Sequence, residues 1–173
     1  MIEVTIDSIR VSLMSQHRVV ILKDIDSNRY LPIWIGPCEA DAITVSLQEV
    51  EVARPLTHDL LRNMLTELGA RVVEIQIHDL RDDVFFARIV LSVNGKSMDI
   101  DTRPSDALAL AVRVNATVLV AEKVMDLAAV TPDEELEEGA AEASDQRLDI
   151  FKDFVDTLNL EGLDEGGEDD EDQ

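Results

Sequence analysis

Apolar and polar residues alternate through most of the first 35 positions, which is the pattern of β-strands with one buried face. A first strand begins near residue 4, and its alternation shifts phase near residues 7–8, as a β-bulge would produce. Two more strands follow at residues 17–23 and 30–35, and the polar segment between them has the composition of a turn. The chain is therefore predicted to open with three consecutive strands.

After residue 36 the apolar spacing changes to the helical period and later returns to alternation. Helical spacing predicts helices over residues 37–50, 57–68 and 104–114, and alternation predicts strands over residues 73–77, 84–93, 96–101 and 117–121. Asn94-Gly95 is the strongest hairpin signal in the chain and joins two of these strands. This order of elements predicts an α+β domain with a largely antiparallel sheet and about three packed helices.

The C-terminal part of the chain differs in composition. We assign residues 1–125 to the folded domain and residues 126–145 to an acidic linker that is poor in large apolar residues. Residues 146–160 carry apolar side chains on one face, which predicts a short amphipathic helix that docks on its own domain or on a protein partner. Residues 161–173 are rich in glycine and acidic residues and are predicted to be disordered.

The formal net charge of −22 is distributed unevenly along the chain. Residues 1–125 hold 13 Lys and Arg against 18 Asp and Glu, whereas residues 126–173 hold 2 against 19. The domain is therefore only mildly acidic, and neither part has the basic surface expected of a protein that binds nucleic acid tightly. Weak and transient contact with RNA or DNA remains compatible with this composition.

The sequence also bounds the compartment and the redox chemistry. No apolar run reaches the roughly 18 residues that a membrane span needs, and the N-terminus lacks the basic and apolar regions of a signal peptide. We therefore expect a cytoplasmic protein without a membrane partner. The single cysteine, Cys38, excludes an intramolecular disulfide. We expect Cys38 to be buried, and a reactive thiol at a helix N-terminus is the alternative.

Two short segments repeat one chemical pattern. Residues 54–60 (RPLTHDL) and residues 101–107 (DTRPSDA) both place Arg-Pro, a hydroxyl residue and an aspartate where a predicted helix begins. The first turn of a helix has backbone N–H groups without partners inside the helix. Each segment would therefore present a cation, a carboxylate and N–H donors to one small region. If the fold brings the two segments together, they form a compact polar site.

His58 lies in the first of these segments and is of the residue type that titrates near neutral pH. Beside Asp59, it could act as a general base or as a metal ligand. The structural alternative is that Thr57 caps the helix, Asp59 complements the helix dipole and His58 faces solvent. The local sequence leaves both interpretations open.

Arg54 and Arg103 each precede a proline, which favours extended backbone and projects the arginine away from the helix that follows. Their guanidinium groups could clamp a phosphate group, or they could form structural ion pairs with Asp59 or Asp106. Glu39 lies near the start of the first predicted helix. It could complete a set of carboxylates or simply favour the positive end of that helix.

Three segments of the chain together resemble the bifunctional nuclease family, small bacterial proteins with plant relatives that are named for RNase and DNase activity. They are residues 31–36 (LPIWIG) with Glu39-Ala40, residues 54–61 (RPLTHDLL) and residues 101–107, in the order and spacing of the family. The resemblance covers about residues 1–125, and the chain beyond residue 145 is similar to the short helical tail of many bacterial members. It implies an α+β domain with a curved, mostly antiparallel sheet, and a homodimer.

The resemblance also implies a shared site and suggests nucleic-acid hydrolysis assisted by a divalent metal ion. Our leading hypothesis is a metal-assisted nuclease that acts weakly, and with low sequence specificity, on RNA or DNA. Its catalytic residues would be Glu39, His58, Asp59 and Asp106, its phosphate-binding residues Arg54, Thr57, Arg103 and Ser105, and its Mg²⁺ or Mn²⁺ ligands Glu39, Asp59 and Asp106.

In this hypothesis His58 activates water or protonates the leaving group, and the arginines steady the phosphate and its developing charge. The alternative hypothesis is a non-catalytic regulatory or interaction protein. Its motif residues would form a structural ion-pair network or bind a small anion at helix N-termini. The acidic helix and tail would then carry the function by docking on a partner.

Overall fold

The computed structural model describes residues 1–11 and 17–131, and within these residues it contains one sheet of seven strands. The strands are β1 (Ile2–Val11), β2 (Arg18–Asp24), β3 (Tyr30–Ile35), β4 (Ala70–Arg81), β5 (Val84–Val93), β6 (Lys96–Thr102) and β7 (Thr117–Val120). All seven correspond to strands that the alternation of apolar residues predicts. Their order across the sheet is β3-β2-β1-β7-β4-β5-β6.

Five of the six pairings between neighbouring strands are antiparallel, and β4 and β7 run parallel. The predicted bulge is confirmed, because the register of β1 against β2 shifts between Ile6 and Ser8. Asn94 and Gly95 form the turn between β5 and β6 with φ angles of 50° and 77°. The hairpin signal in the sequence is therefore confirmed as well, since such turns need positive φ.

Four helices lie within the described residues: α1 (Pro37–Leu47), α2 (Thr57–Glu67), α3 (Pro104–Val114) and α4 (Glu122–Ala128). Proline occupies the first position of α1 and of α3, where it costs no hydrogen bond within the helix. Gly69 (φ 68°) follows α2 and Asn115 (φ 51°) follows α3, both in the left-handed conformation that ends helices. None of these four helices is long and apolar enough to cross a membrane.

Helix α3 lies at the centre of the hydrophobic core. It contacts α1 and α2 as well as strands β4, β5 and β7. Leu108 and Leu110 are fully buried, and so are the small residues Ala107 and Ala109 beside them. A helix with such a continuous run of buried residues is covered on all sides. The position of α3 therefore determines where α1 and α2 can lie.

The sheet curls strongly, because α4 contacts both β3 and β4 although three strands separate these two in the sheet. Beyond α4, Val130 pairs with Tyr30 of β3 in an isolated antiparallel bridge. The segment up to Val130 thus belongs to the domain. The α+β class and the curved, mostly antiparallel sheet expected from the sequence are confirmed.

Helix α4 is missing from the predicted elements, and it corrects the start of the linker predicted at residues 126–145. Val124 and Met125 of α4 are buried, so this helix is part of the core. A helix of seven residues is too short to show a clear helical period in the sequence. The rest of the linker, the helix at residues 146–160 and the acidic tail lie outside the described residues. The homodimer and the protein partner stay predictions.

The apolar residues of α2 are divided between two faces. Leu60, Leu61, Met64, Leu65 and Leu68 recur at helical spacing, but only Leu61 and Leu65 pack against the core. The other three are exposed. Since α2 packs mainly on α3 and β4, its opposite face remains uncovered in the described chain.

The position of α3 predicts a difference between two leucine substitutions. Leu108→Ala should lower the free energy of unfolding by about 2–5 kcal/mol, because it leaves a cavity beside a side chain that is 0% exposed. Leu60→Ala, on α2 with 56% exposure, should change it by less than about 0.5 kcal/mol. Urea denaturation of both variants measures this difference, and equal losses would contradict the described packing of α2 and α3.

Candidate active site

Three helices begin at the same place in the fold. Glu39 is in the first turn of α1, His58 in the first turn of α2 and Asp106 in the first turn of α3. Side-chain contacts connect all three turns. The positive ends of three helix dipoles therefore lie close together. The fold thus brings the two Arg-Pro segments of the sequence to one site.

Arg103, at the N-cap of α3, links α3 to α1. Its Nε donates a hydrogen bond of 2.7 Å to Oδ2 of Asp106, and its Nη2 donates one of 2.7 Å to Oε1 of Glu39. Oδ1 of Asp106 lies 3.2 Å from Nε2 of His58 on α2. These four side chains form one continuous chain of contacts, which we call the helix-start network.

His58 is buried, with 8% of its surface exposed, and it contacts Asp106. A hydrogen bond to the carboxylate requires a proton on Nε2, so the neutral ring is assigned the tautomer with its proton there. Nδ1 is then a buried acceptor, and it has no hydrogen-bond partner within the described residues. The structural alternative in which His58 faces solvent is therefore wrong, because its ring is buried and contacts Asp106 in the first turn of α3.

Asp106 is ionised at neutral pH and remains accessible. Burial alone would raise the pKa of its carboxyl, but hydrogen bonds from Arg103 and His58 outweigh burial and hold this pKa below its ordinary value. The bond to Asp106, followed by the bond to Glu39, raises the pKa of the Arg103 guanidinium. The side chains of Arg103 and Asp106 are 66% and 30% exposed, so a ligand in solution can reach both.

Gly36, at the N-cap of α1, provides the space that Glu39 occupies. A Cβ atom on residue 36 would overlap with Oε2 of Glu39. A larger residue would therefore displace the carboxylate that Arg103 contacts. Cys38, between them, is exposed, so the expectation of a buried cysteine is wrong. The reason is its position in the first turn of α1, where this side chain lies outside the core.

Asp59 does not join the helix-start network. Its Oδ1 accepts a hydrogen bond of 2.8 Å from Nε of Arg113, and its Oδ2 accepts one of 2.9 Å from the backbone N–H of Leu56. Burial would raise the pKa of the Asp59 carboxyl, but the bonds from Leu56 and Arg113 hold it below its ordinary value. Asp59 thus forms an ion pair with Arg113, a partner that the sequence did not suggest, and its assignment to catalysis stays a prediction. Thr57 does not cap the helix, because Leu56 occupies the N-cap position.

Arg113 is a residue that the sequence analysis missed. Only 3% of its side chain is exposed, and its Nη1 also donates a 2.7 Å hydrogen bond to the carbonyl oxygen of Ala109. Arg113 lies seven residues after Asp106, two turns along the same face of α3. Helix α2 is therefore attached to α3 at two points. A basic residue within an apolar helix can indicate a buried ion pair in the sequence, because a buried charge needs a partner.

Three further candidate residues lie beside the network without joining it. Arg54 is exposed, and it makes neither an ion pair nor a hydrogen bond within the part of the chain that the structure describes. Thr57 is exposed at the first position of α2, and Ser105 is buried next to Asp106 on α3. Their assignment to phosphate binding stays a prediction.

The three carboxylates expected to hold Mg²⁺ or Mn²⁺ do not converge. Glu39 and Asp106 both bond to the guanidinium of Arg103, whereas Asp59 bonds to Arg113. In residues 1–11 and 17–131, no three His, Cys, Asp or Glu side chains are grouped so that they could hold a metal ion. The arrangement of these residues therefore does not fit the expected ligand set.

The geometry of the helix-start network indicates what kind of group the site can bind. Convergent helix N-termini attract anions, and an exposed arginine beside them is suited to phosphate. The paired histidine and aspartate add a group that can accept a proton. The site therefore combines donors suited to an anion with a group that can accept a proton.

Comparison with known proteins gives the family. Residues 20–133 match the family model described as the bifunctional nuclease domain, and the chain belongs to this family. An uncharacterised protein of Mycobacterium tuberculosis is 39% identical over 158 residues, which cover 91% of this chain and 94% of that protein. The chain is thus similar to a bacterial protein over nearly the whole length of both.

Plant relatives carry the family's name. Bifunctional nuclease 2 of Arabidopsis thaliana is 28% identical over 108 residues, 60% of this chain and 33% of the plant protein. Bifunctional nuclease 1 of Oryza sativa subsp. japonica is 24% identical over 112 residues, 62% of this chain and 34% of the plant protein. The chain therefore spans about a third of each of these plant proteins.

The ion pair between Asp59 and Arg113 generates a stability prediction. Asp59→Asn should lower the free energy of unfolding by roughly 3 kcal/mol, because it leaves the Arg113 guanidinium buried without a counter-charge. This is the lower end of the range for buried pairs, since Asp59 is 17% exposed. Replacing both partners, Asp59→Asn with Arg113→Met, should recover part of the loss. Additive losses in denaturant unfolding would contradict the pairing.

The lowered pKa values generate a prediction for acid conditions. The folded-state pKa values of Asp59 and Asp106 lie below the ordinary value of 3.8. Their contribution to stability is therefore complete above that value and is lost as the pH falls below it. The wild type should lose stability on acidification from about pH 4, and Asp59→Asn or Asp106→Asn should lose less over the same interval. Equal pH dependence in chemical denaturation would exclude these carboxylates as the cause.

Proposed function

We propose that the protein cleaves phosphodiester bonds in RNA or DNA at the helix-start network. The observation that carries this proposal is the convergence of three helix N-termini around an exposed arginine and a His–Asp pair. Membership in the bifunctional nuclease domain family supports the reaction class. The names of the plant relatives agree with it.

Phosphate binding is assigned to Arg103 and Arg54 in this proposal. Arg103 is mostly exposed and lies at the N-terminus of α3, where backbone N–H groups also attract an anion. Arg54 is exposed just before α2, and it can approach a phosphate without first giving up an ion pair. The hydroxyl groups of Thr57 and Ser105 are the proposed additional donors. A guanidinium suits this role because it can donate two parallel hydrogen bonds to a phosphate group.

The proton-accepting group is assigned to Asp106. Its carboxylate is partly exposed, whereas His58 lies behind it and is buried. In this arrangement His58 orients the carboxylate, and Asp106 accepts the proton of the water that attacks phosphorus. The P–O bond to the leaving oxygen breaks, and that oxygen takes its proton from solvent. Glu39 holds Arg103 from the other side. The proposed role of His58 is therefore positioning, in place of the direct acid–base role that its sequence context suggested.

Substrate binding should be weak. Residues 1–125 carry more acidic than basic residues, so the domain lacks a general electrostatic attraction for nucleic acid. We propose a transient substrate that is recognised at one phosphate group, with low sequence specificity. Assistance by Mg²⁺ or Mn²⁺ stays a prediction of the family resemblance, and cleavage assays with and without a chelator test it.

A second candidate function rests on the same network. Asp106, Arg103 and Glu39 already pair with one another, as they would in a non-catalytic protein whose motif residues stabilise the packing of three helices. Such a protein would serve a regulatory role and would bind at most a small anion at this site. Activity assays on variants of the network separate the two candidates.

The proposal predicts the effect of two substitutions at residue 58. His58→Ala should lower turnover about a hundredfold, on the scale of a misplaced catalytic group, because Asp106 loses its orienting partner. His58→Gln keeps an N–H donor that can reach the carboxylate, so it should retain more activity than His58→Ala. Full-length proteins are purified identically and assayed on single-stranded RNA and DNA.

Two controls make this assay decisive. Both variants should keep a cooperative thermal transition, which separates loss of activity from loss of fold. Leu60→Ala, on the exposed face of α2, should cleave like the wild type. If wild type and His58→Ala cleave equally after identical purification, the activity comes from elsewhere and the helix-start network is not the site.

A further inference from the structure

We propose that Arg103 is an internal counter-cation that occupies the position between Glu39 and Asp106 and keeps divalent metal ions out of the free protein. The proposal rests on the fact that two carboxylates of the expected ligand set, Glu39 and Asp106, meet at a cation of the protein itself. It concerns ion binding alone and therefore goes beyond the proposed nuclease function. Either can fail without the other.

The first argument is the geometry of the guanidinium. Two different nitrogens of Arg103 donate 2.7 Å hydrogen bonds to Glu39 and to Asp106. The distances are those of charge-assisted hydrogen bonds. The group that connects the two carboxylates is thus already a cation. A metal ion that took oxygen ligands from both would have to displace it.

The second argument is the charge of the first turns. Arg103 contributes one positive charge to two carboxylates, and the positive ends of three helix dipoles supply additional partial charge. The electrostatic attraction for a further dication is therefore weak. The third carboxylate of the expected set, Asp59, is neutralised separately by Arg113. Each carboxylate of the expected set is therefore already paired with an arginine, and none is left to bind a metal ion.

The third argument is that Arg103 can leave. Its side chain is mostly exposed, so it is held by its two carboxylate partners and not by enclosure in the core. Removing its charge should open the position, whereas replacing it with another cation should keep the position occupied. This contrast separates the counter-cation role from a role of Arg103 in stability.

The experiment measures Mn²⁺ binding to the full-length protein by paramagnetic broadening of backbone amide signals. Signals from the first turns of α1 and α3 report on the position between Glu39 and Asp106. All variants carry the same acidic segment at residues 161–173, so Mn²⁺ that binds there contributes equally to each protein and cancels in the comparison between variants. The variants are Arg103→Gln, which removes the charge, and Arg103→Lys, which keeps it. Arg71→Gln removes an exposed arginine of β4 without an ion pair in the described chain and serves as the matched control.

We expect no selective broadening of these turns in wild type, Arg103→Lys or Arg71→Gln at submillimolar Mn²⁺. Arg103→Gln should bind Mn²⁺ there at least about tenfold more tightly than the wild type, and adding Asp106→Asn should abolish this binding. Selective Mn²⁺ binding by the wild type would overturn the proposal. So would an Arg103→Gln protein that is folded and binds no better than the wild type.

Discussion

The burial of α3 is the constraint on which the rest of the structure depends. A helix that is covered on all sides can keep polar side chains only where they have partners. The charged side chains of α3 and its N-cap are Arg103 and Asp106 at the start of the helix and Arg113 near its end. Each of these residues bonds to α1 or to α2. The site and the packing of the helices therefore have the same physical origin.

The sequence predicts the fold to a large extent, because most of its elements have strong local signals. All seven strands follow from alternation, and the bulge in β1 and the turn at Asn94-Gly95 follow from the phase shift and from the turn residues. Helix α4 has no such signal because it is short, and its stability comes from packing against β3 and β4. Tertiary contacts of this kind are not visible in a single sequence.

The site was predicted in composition but only partly in geometry. The two Arg-Pro segments do come together, because both begin helices that pack on each other. The direction of Asp59 could not be predicted, since it depends on Arg113, which lies 54 residues later in the chain. The burial of His58 could not be decided from the local sequence for a related reason. Its burial is produced by α3, and α2 alone would leave it in solvent.

The helix-start network is compatible with an enzyme and with a purely structural role. Arg103 pairs with Asp106 and with Glu39 within the protein, which stabilises the meeting point of three helices. In the proposed function, Arg103 exchanges a carboxylate oxygen for a phosphate oxygen, since both accept charge-assisted hydrogen bonds from a guanidinium. Catalysis would then depend on this exchange. In a non-catalytic protein, Arg103 would stay bonded to Asp106 and Glu39.

The most direct test compares the cleavage of single-stranded RNA and DNA by wild type, Asp106→Asn and Asp101→Asn, each as identically purified full-length protein. Asp101 is an exposed carboxylate on β6 and provides the matched control. The account predicts that Asp106→Asn alone loses activity, and equal cleavage by all three proteins would contradict it.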